Sequence, residues 1–260
     1  MAAPEAHLTG AIVFFIATIA YFIWLFGFTA NKRPYQRYPL FAVLAIQLLL
    51  TIMYTASYLN IYVFTRLGDG VEVSFPRIFT WLVIFPVPFV FLIVNALRYD
   101  IHQASVAHFA MLVWTLETIL CSTLDNPAQK WPIYGFQVVT TIAATFLIVC
   151  FFRRQAKHMD SWTFSIILIT ILGLVVYELI WTMGTVIASP SGGGFISFSA
   201  AEWIFFALDF LVMTIYGGYI VLTTGEGVTK KGTKSEGEYR KVHEGTTTEV
   251  YMSSVDPNAY

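Results

Sequence analysis

The last apolar run of the chain, residues 198–223, reads FSAAEWIFFALDFLVMTIYGGYIVLT. An α-helix needs about 20 predominantly apolar residues to cross the hydrocarbon core of a bilayer, and this run is long enough. Its only charged residues are Glu202, near one end, and Asp209, in the middle. A charge at the centre of a membrane helix costs about 2.5–3.5 kcal/mol on insertion scales, so Asp209 needs a partner or a function. The run therefore predicts a membrane helix with an internal polar site.

Six more apolar runs precede this one, at about residues 8–30, 38–66, 76–97, 105–124, 131–152 and 160–188. The composition agrees, because 57% of the residues are hydrophobic and 12% are charged, about half the charged fraction of soluble domains. We predict an all-α membrane protein whose residues 1–224 form a bundle of seven transmembrane helices. Residues 68–73 are expected to form a small hairpin outside the bilayer. The net charge of −1 and the lack of a basic stripe give no sign of nucleic-acid binding.

Positive residues cluster in the links on one side of the predicted bundle and in the tail. They are Lys32, Arg33, Arg37, Arg98, Arg153, Arg154, Lys157, Lys230, Lys231, Lys234, Arg240 and Lys241. Because cytoplasmic links carry the excess of Lys and Arg, this bias predicts an N-terminus outside and a C-terminus in the cytoplasm. Residues 225–260 lack apolar periodicity and predict a disordered cytoplasmic tail, either simply solvated or the docking site of a protein partner. We expect the host membrane to be the plasma membrane.

Four segments carry a pattern that is similar to one protein family. They read LDFLVMTIYG at 208–217, RIFTWLVIFP at 77–86, YELIWTMG at 177–184 and MY at 53–54. In the type, order and register of these residues the chain resembles the microbial rhodopsins over about residues 8–223. The resemblance implies a seven-helix bundle that commonly forms homo-oligomers.

The departures from the family pattern bear on its cofactor. The resemblance implies a lysine that binds retinal where this chain has Met213, a counterion aspartate where it has Thr80, and a proton donor where it has Phe91. Every lysine of the chain falls in a predicted link or in the tail, so no amine is available for a retinal Schiff base. We therefore expect no covalent retinal and no light-driven pumping. In this loss the chain resembles retinal-free fungal opsin-related and heat-shock-associated membrane proteins.

Two groups of residues are the predicted site. One is a polar network in which Arg77 faces Asp209 and Tyr54 donates to the carboxylate; its members are Tyr54, Arg77, Thr80, Glu178 and Asp209. It is either an inherited ion pair that fixes packing or a retained ion or proton site. The other is the former retinal pocket, Trp81, Leu174, Tyr177, Trp181 and Met213, which is either a filled core or the site of a noncovalent apolar ligand.

Two more carboxyl groups lie in apolar runs outside these groups. The resemblance implies that Glu117 takes a buried carboxyl position of the fourth helix. Glu202 is expected to be an interfacial residue, with a gate as the alternative.

Several functions fit these features. The first is a retinal-free rhodopsin homologue that acts as a scaffold or regulator through partners, the membrane or its tail; the resemblance implies stress-linked membrane organisation or support of a proton ATPase. The alternatives are a passive or ligand-gated proton or ion pathway through Arg77, Asp209 and Glu178, and a receptor for a noncovalent apolar ligand. An enzyme is not expected, because the sequence has no nucleophile–base pair and no metal-ligand cluster.

Overall fold

The computed structural model describes residues 4–29, 34–90, 101–155, 161–187 and 193–222. Within them the chain forms seven helices and one two-stranded sheet. The helices, numbered α1 to α7, are Pro4–Ile23, Pro34–Tyr58, Phe75–Ile84, Ile101–Thr123, Pro127–Gln155, Ser161–Trp181 and Phe198–Leu208. The prediction of an all-α seven-helix bundle is confirmed.

Local sequence signals set several helix starts. Pro76 lies in the first turn of α3, where its missing N–H removes no intrahelical bond. Asn126 precedes α5 and accepts from the backbone N–H of Ala128 at 2.9 Å, and the hydroxyl of Ser197 caps α7 by accepting from the backbone N–H of Ala200. Such caps satisfy N–H groups that have no partner within the helix.

Four helices continue into π-helical turns within the described residues. These turns are Trp24–Phe28 after α1, Phe85–Phe89 after α3, Thr182–Val186 after α6 and Asp209–Ile215 after α7. The turn after α7 leads back into α-helix up to residue 222. Because π-helical turns shift the register of backbone hydrogen bonds, carbonyl groups there need other donors. Two are supplied by other helices: Gln47 Nε2 donates to Met213 O at 3.0 Å, and the Tyr21 hydroxyl donates to Thr214 O at 2.8 Å.

The link between α2 and α3 is a β-hairpin. Strand β1, Val63–Thr65, pairs antiparallel with strand β2, Glu72–Ser74. This hairpin is longer than the predicted residues 68–73, which hold part of the turn and the first two residues of β2. Its expected position outside the bilayer stays a prediction. The second apolar run, 38–66, is expected to fray before Arg66, and the helix ends earlier still, at Tyr58. Asn60 and Tyr62 have φ angles of 53° and 58°, a left-handed conformation that ends the helix and turns the chain into β1.

Charged side chains bind the hairpin to the end of α4, the start of α5 and the π-helical turn after α6. Arg66 donates to Asp69 at 2.7 Å and to the carbonyls of Cys121, Ser122 and Thr185. Lys130 Nζ lies 3.0 Å from the same Asp69 carboxylate. Burial raises the pKa of Asp69, but the hydrogen bonds from Lys130 and Arg66 outweigh it and hold the pKa below its ordinary value.

Four of the described helical segments are long and apolar enough to cross a membrane: Pro4–Phe28, Arg37–Tyr58, Leu168–Val186 and Phe198–Leu222. Large apolar side chains on the outside, such as Phe15, Ile52 and Leu211, are more than half exposed, which suits contact with lipid. The chain is therefore an integral membrane protein. Its orientation and the choice of the plasma membrane stay predictions.

The contacts divide the chain into Met1–Ile220, which contains the bundle, and Val221–Tyr260. Of the second unit only residues 221 and 222 are described, so the predicted tail, 225–260, and the domain boundary at 224 lie outside the described residues. Phe91, at the expected proton-donor position, also lies outside them.

Candidate functional site

The site is centred on an ion pair between α3 and the π-helical turn after α7. Arg77 Nη1 donates to Asp209 Oδ2 at 3.1 Å, and both residues are buried, with 4% and 0% of their surface exposed. The guanidinium also lies over the rings of Tyr54, Trp81 and Phe205, at 5.3, 5.7 and 4.6 Å from their centroids. Ring faces attract a cation, most strongly where water is excluded. The buried charge of Arg77 is thus held by an anion and by aromatic rings.

Two tyrosines complete the coordination of Asp209. The Tyr54 hydroxyl donates to Oδ2 at 2.8 Å, and the Tyr177 hydroxyl donates to Oδ1 at 2.6 Å. The structure therefore brings together three members of the predicted polar network, Arg77, Asp209 and Tyr54, and adds Tyr177 from the predicted pocket. Because hydrogen bonds to a carboxylate are stronger than neutral ones, this arrangement supports an ionised Asp209.

Tyr54 reaches Asp209 because α1 and α2 approach closely beside it. A Cβ atom at Gly10 would overlap the Tyr54 ring, which also stacks on Phe14 with centroids 5.2 Å apart. The absence of a side chain at Gly10 thus makes room for the ring that carries the donor.

Glu202 is a second anion at the site, and its side chain lies inside the bundle; its expected position at the membrane interface stays a prediction. Only 2% of its surface is exposed. Its carboxylate accepts from Arg77 through both oxygens, with Nε to Oε1 at 3.2 Å and Nη2 to Oε2. Such paired contacts fit the planar fork of a guanidinium. Glu202 precedes Asp209 by seven residues, two helical turns, so the helix places both carboxylates on one face.

His7 extends the cluster to α1. Its Nε2 lies 3.0 Å from Glu202 Oε2, and the ring is fully buried. Within the described part of the chain, Nδ1 has no hydrogen-bond partner. His7 was not predicted as a site residue, because the only signal in the sequence is one histidine at the start of an apolar run. The cluster thus joins one guanidinium, two carboxylates and one imidazole.

The remaining predicted network residues lie elsewhere. Thr80 is buried on α3, and among the described residues it makes no hydrogen bond to Arg77 or Asp209. Glu178 accepts from Trp114 Nε1 at 2.9 Å and from Gln137 Nε2 at 3.4 Å, so it belongs to the contact of α4, α5 and α6. The prediction that Glu178 shares a network with Arg77 and Asp209 is not met, because neighbouring residues of a helix point about 100° apart and Tyr177 takes the direction of Asp209.

The predicted pocket residues are packed among aromatic side chains. The Trp81 ring lies 5.7 Å from Tyr177 and 5.2 Å from Phe205, and Phe85 lies 5.6 Å from Tyr177 and 5.4 Å from Trp114. These five rings, Trp81, Phe85, Trp114, Tyr177 and Phe205, are called the aromatic cluster below. Edge-to-face contacts at such distances are favourable for aromatic pairs.

The other pocket positions vary in burial. Met213 is 1% exposed and Trp181 is 2% exposed, whereas Leu174 is half-buried. Trp181 Nε1 donates to Ser122 Oγ at 3.2 Å, which ties α6 to α4.

A small cavity lies beside the polar cluster, between Arg77, Trp81, Trp181 and Glu202. The cavity has a volume of about 20 Å³, which is enough for about one water molecule. Trp81 Nε1 is buried without a partner among the described residues. Among those residues no group of three or more His, Cys, Asp or Glu side chains is arranged to hold a metal ion.

Comparison with solved structures gives strong matches at low sequence identity. The thermophilic rhodopsin from Rubrobacter xylanophilus matches with a TM-score of 0.73 and 18% identity over 89% of this chain and 99% of that one. The proton-pumping rhodopsin of the alga Acetabularia acetabulum matches with a TM-score of 0.72 and 18% identity over 88% of this chain and 100% of that one. Bromide-bound halorhodopsin from Halobacterium salinarum matches with a TM-score of 0.72 and 13% identity over 85% of this chain and 93% of that one.

No protein-family model and no curated protein sequence matches the chain. The structural matches nevertheless cover nearly the whole length of each solved chain. The protein therefore has the seven-helix fold of the microbial rhodopsins.

Proposed function

We propose that this protein is a retinal-free member of the rhodopsin fold that acts as a membrane scaffold or regulator, through partner proteins or its tail, and not as a light-driven pump. The observation that carries the proposal is the environment of Met213. This residue stands where the resemblance implies the retinal lysine, and its buried side chain offers no amine. Its backbone carbonyl accepts from Gln47, and this bond fixes the π-helical turn after α7 against α2.

The aromatic cluster supports the same proposal. Rings from α3, α4, α6 and α7 contact each other around the former pocket, and close packing of this kind leaves little room for a large apolar ligand. A receptor for such a ligand would require these rings to separate. Asp209, with both oxygens engaged by Arg77 and two tyrosines, serves as a fixed centre that joins α2, α3, α6 and α7.

A second candidate, a passive proton or ion pathway, is favoured by one specific observation. A continuous chain of contacts runs from His7 through Glu202 and Arg77 to Asp209. Chains of hydrogen-bonded titratable groups conduct protons in many membrane proteins. On the predicted topology, its His7 end lies at the outer side.

Flux measurements in liposomes separate the candidates. The purified chain is reconstituted with a pH-sensitive dye inside, a potassium gradient and valinomycin, and proton entry is followed in the dark and under illumination with added retinal. A scaffold gives the same flux as empty liposomes in both conditions, for the wild type and for Asp209→Asn. Dark flux that Asp209→Asn abolishes would replace the scaffold proposal with the pathway. Light-dependent flux would refute both.

A further inference from the structure

A second group of buried polar side chains lies away from Arg77, where α4, α5 and α6 meet. Glu117 and Trp114 come from α4, Gln137 and Thr140 from α5, and Glu178 from α6. Gln137 is fully buried, and Glu117 is 6% exposed. Among the described residues, neither carboxyl group has a cation among its hydrogen-bond partners. Two carboxylates in this place would be unusual, because an uncompensated charge within a membrane is costly.

Three acceptor oxygens of this group have no donor among the described residues. They are Glu117 Oε1, Glu178 Oε1 and Gln137 Oε1, all shielded from solvent. The amide of Gln137 lies within the group, because its Nε2 donates to Thr118 Oγ at 3.0 Å and contacts Glu178 Oε2. A buried acceptor without a donor costs about 1–3 kcal/mol. An amide oxygen does not take up a proton itself at ordinary pH, so Gln137 Oε1 indicates that a donor is missing from the group.

The surroundings of Thr140 give an independent indication. Its hydroxyl oxygen lies 2.7 Å from Phe136 O, 3.1 Å from Gln137 O and 2.8 Å from Glu117 Oε2. If Glu117 is ionised, all of these neighbours are acceptors, yet a hydroxyl has one hydrogen to donate. A helical threonine commonly donates to the carbonyl four residues earlier, here Phe136. The contact with Glu117 is then satisfied only when the carboxyl group carries the proton and donates to Thr140.

We propose that Glu117, Glu178 and Gln137 form a proton-binding site at which both carboxyl groups are neutral acids in the folded protein. Two protons taken from water on folding remove two negative charges and turn two acceptor positions into O–H donors. One O–H group donates to Thr140 Oγ, and the other supplies the donor that the group around Gln137 lacks. The proposal does not depend on whether the protein is a scaffold or a pathway.

Other charged and titratable groups near this contact have different partners. Lys130 and Arg66 bind Asp69 at the hairpin. Cys121 Sγ lies 3.9 Å from Lys130 O, and the Tyr134 hydroxyl pairs with Thr182 at 3.2 Å. A metal ion fits less well than protons, because Glu178 Oε2 already accepts from the N–H groups of Trp114 and Gln137 and hard cations need about six oxygen ligands.

Infrared absorption of the full chain in mild detergent near neutral pH tests this proposal. A protonated carboxyl group has a C=O stretching band that is separate from the amide bands. We expect this band in the wild type, a loss of about half its area in Glu178→Gln, and almost complete loss in Glu117→Gln/Glu178→Gln, since each acid contributes one group. Thr140→Val is expected to shift the band without removing it. The exposed-loop variant Asp125→Asn is the matched control and should leave it unchanged.

Two results would overturn the proposal. The first is the absence of the band in the wild type near neutral pH. This measurement does not depend on whether any variant folds. The second is a band that survives in the double variant, because it would then come from Asp209 or Glu202. If the band is absent and the melting temperature rises with sodium chloride but not with choline chloride, the site is assigned to a metal ion instead.

Discussion

Removing Arg77 should destabilise the protein more than removing either of its anionic partners. The guanidinium binds Glu202 through two nitrogens and Asp209 through a third. In Arg77→Gln, both carboxylates stay buried without their cation. Breaking a buried ion pair by removing one partner typically costs about 3–5 kcal/mol. Because two anions lose their partner here, we expect a loss in the free energy of unfolding at the upper end of that range.

The carboxylate variants should cost less, because Arg77 keeps one anion in each. In Asp209→Asn the guanidinium stays on Glu202, and the amide oxygen accepts from one tyrosine while the other loses its acceptor. An unsatisfied buried donor or acceptor costs about 1–3 kcal/mol, and we expect a loss of that size. In Arg77→Gln/Asp209→Asn the loss should be smaller than the sum of the single losses, because the double variant leaves one unpaired carboxylate fewer.

Equilibrium unfolding in mixed micelles, followed by tryptophan fluorescence, measures these losses. Glu5→Gln is the control, because it removes an exposed carboxylate from the first turn of α1 and should stay within about 0.5 kcal/mol of the wild type. The reasoning is refuted if Arg77→Gln costs no more than Asp209→Asn, or if the double variant shows the full sum. Either result would mean that the two carboxylates do not share one counterion.

Two further predictions concern other parts of the bundle. Gln47→Leu removes the donor to Met213 O. The free energy of unfolding should fall by about 1–3 kcal/mol, and amide exchange should quicken in the π-helical turn after α7. Unchanged exchange would count against this role of Gln47. The pKa of Asp69 is lowered in the folded state because the bonds from Lys130 and Arg66 outweigh burial. Its stabilisation is therefore present above about pH 4 and lost as the pH falls through the folded-state pKa, so the stability gap to Asp69→Asn should close in acid. A gap that is independent of pH would contradict this.

The core of the site could be predicted from the sequence because its members are fixed by register on long helices. Asp209 and Arg77 are charged residues in apolar runs, and such residues need partners inside the bundle. Their convergence with Tyr54 is what the resemblance to the microbial rhodopsins implies. Glu202 could have been found too, since its two-turn spacing from Asp209 places it on the same face.

Other features depend on tertiary contacts that one sequence does not reveal. His7 pairs with a residue 195 positions away in the chain, and nothing local to His7 indicates that partner. The direction of Glu178 depends on the rotation of α6 about its axis, which packing decides. The early end of α2 comes from left-handed backbone at Asn60 and Tyr62 within a run whose apolar composition suggested more helix.

The most direct test of the proposed loss of photochemistry is the visible spectrum of the purified chain after addition of all-trans retinal, for the wild type and for Met213→Lys. We predict no red-shifted, borohydride-reducible band in the wild type, because it has no amine at Met213. We predict none in the variant either, because we propose that the aromatic cluster fills the former pocket. A reducible band in the wild type would contradict the proposal that this protein does not bind retinal covalently. A band in the variant alone would contradict the filled pocket and leave the absence of the lysine as the sole cause.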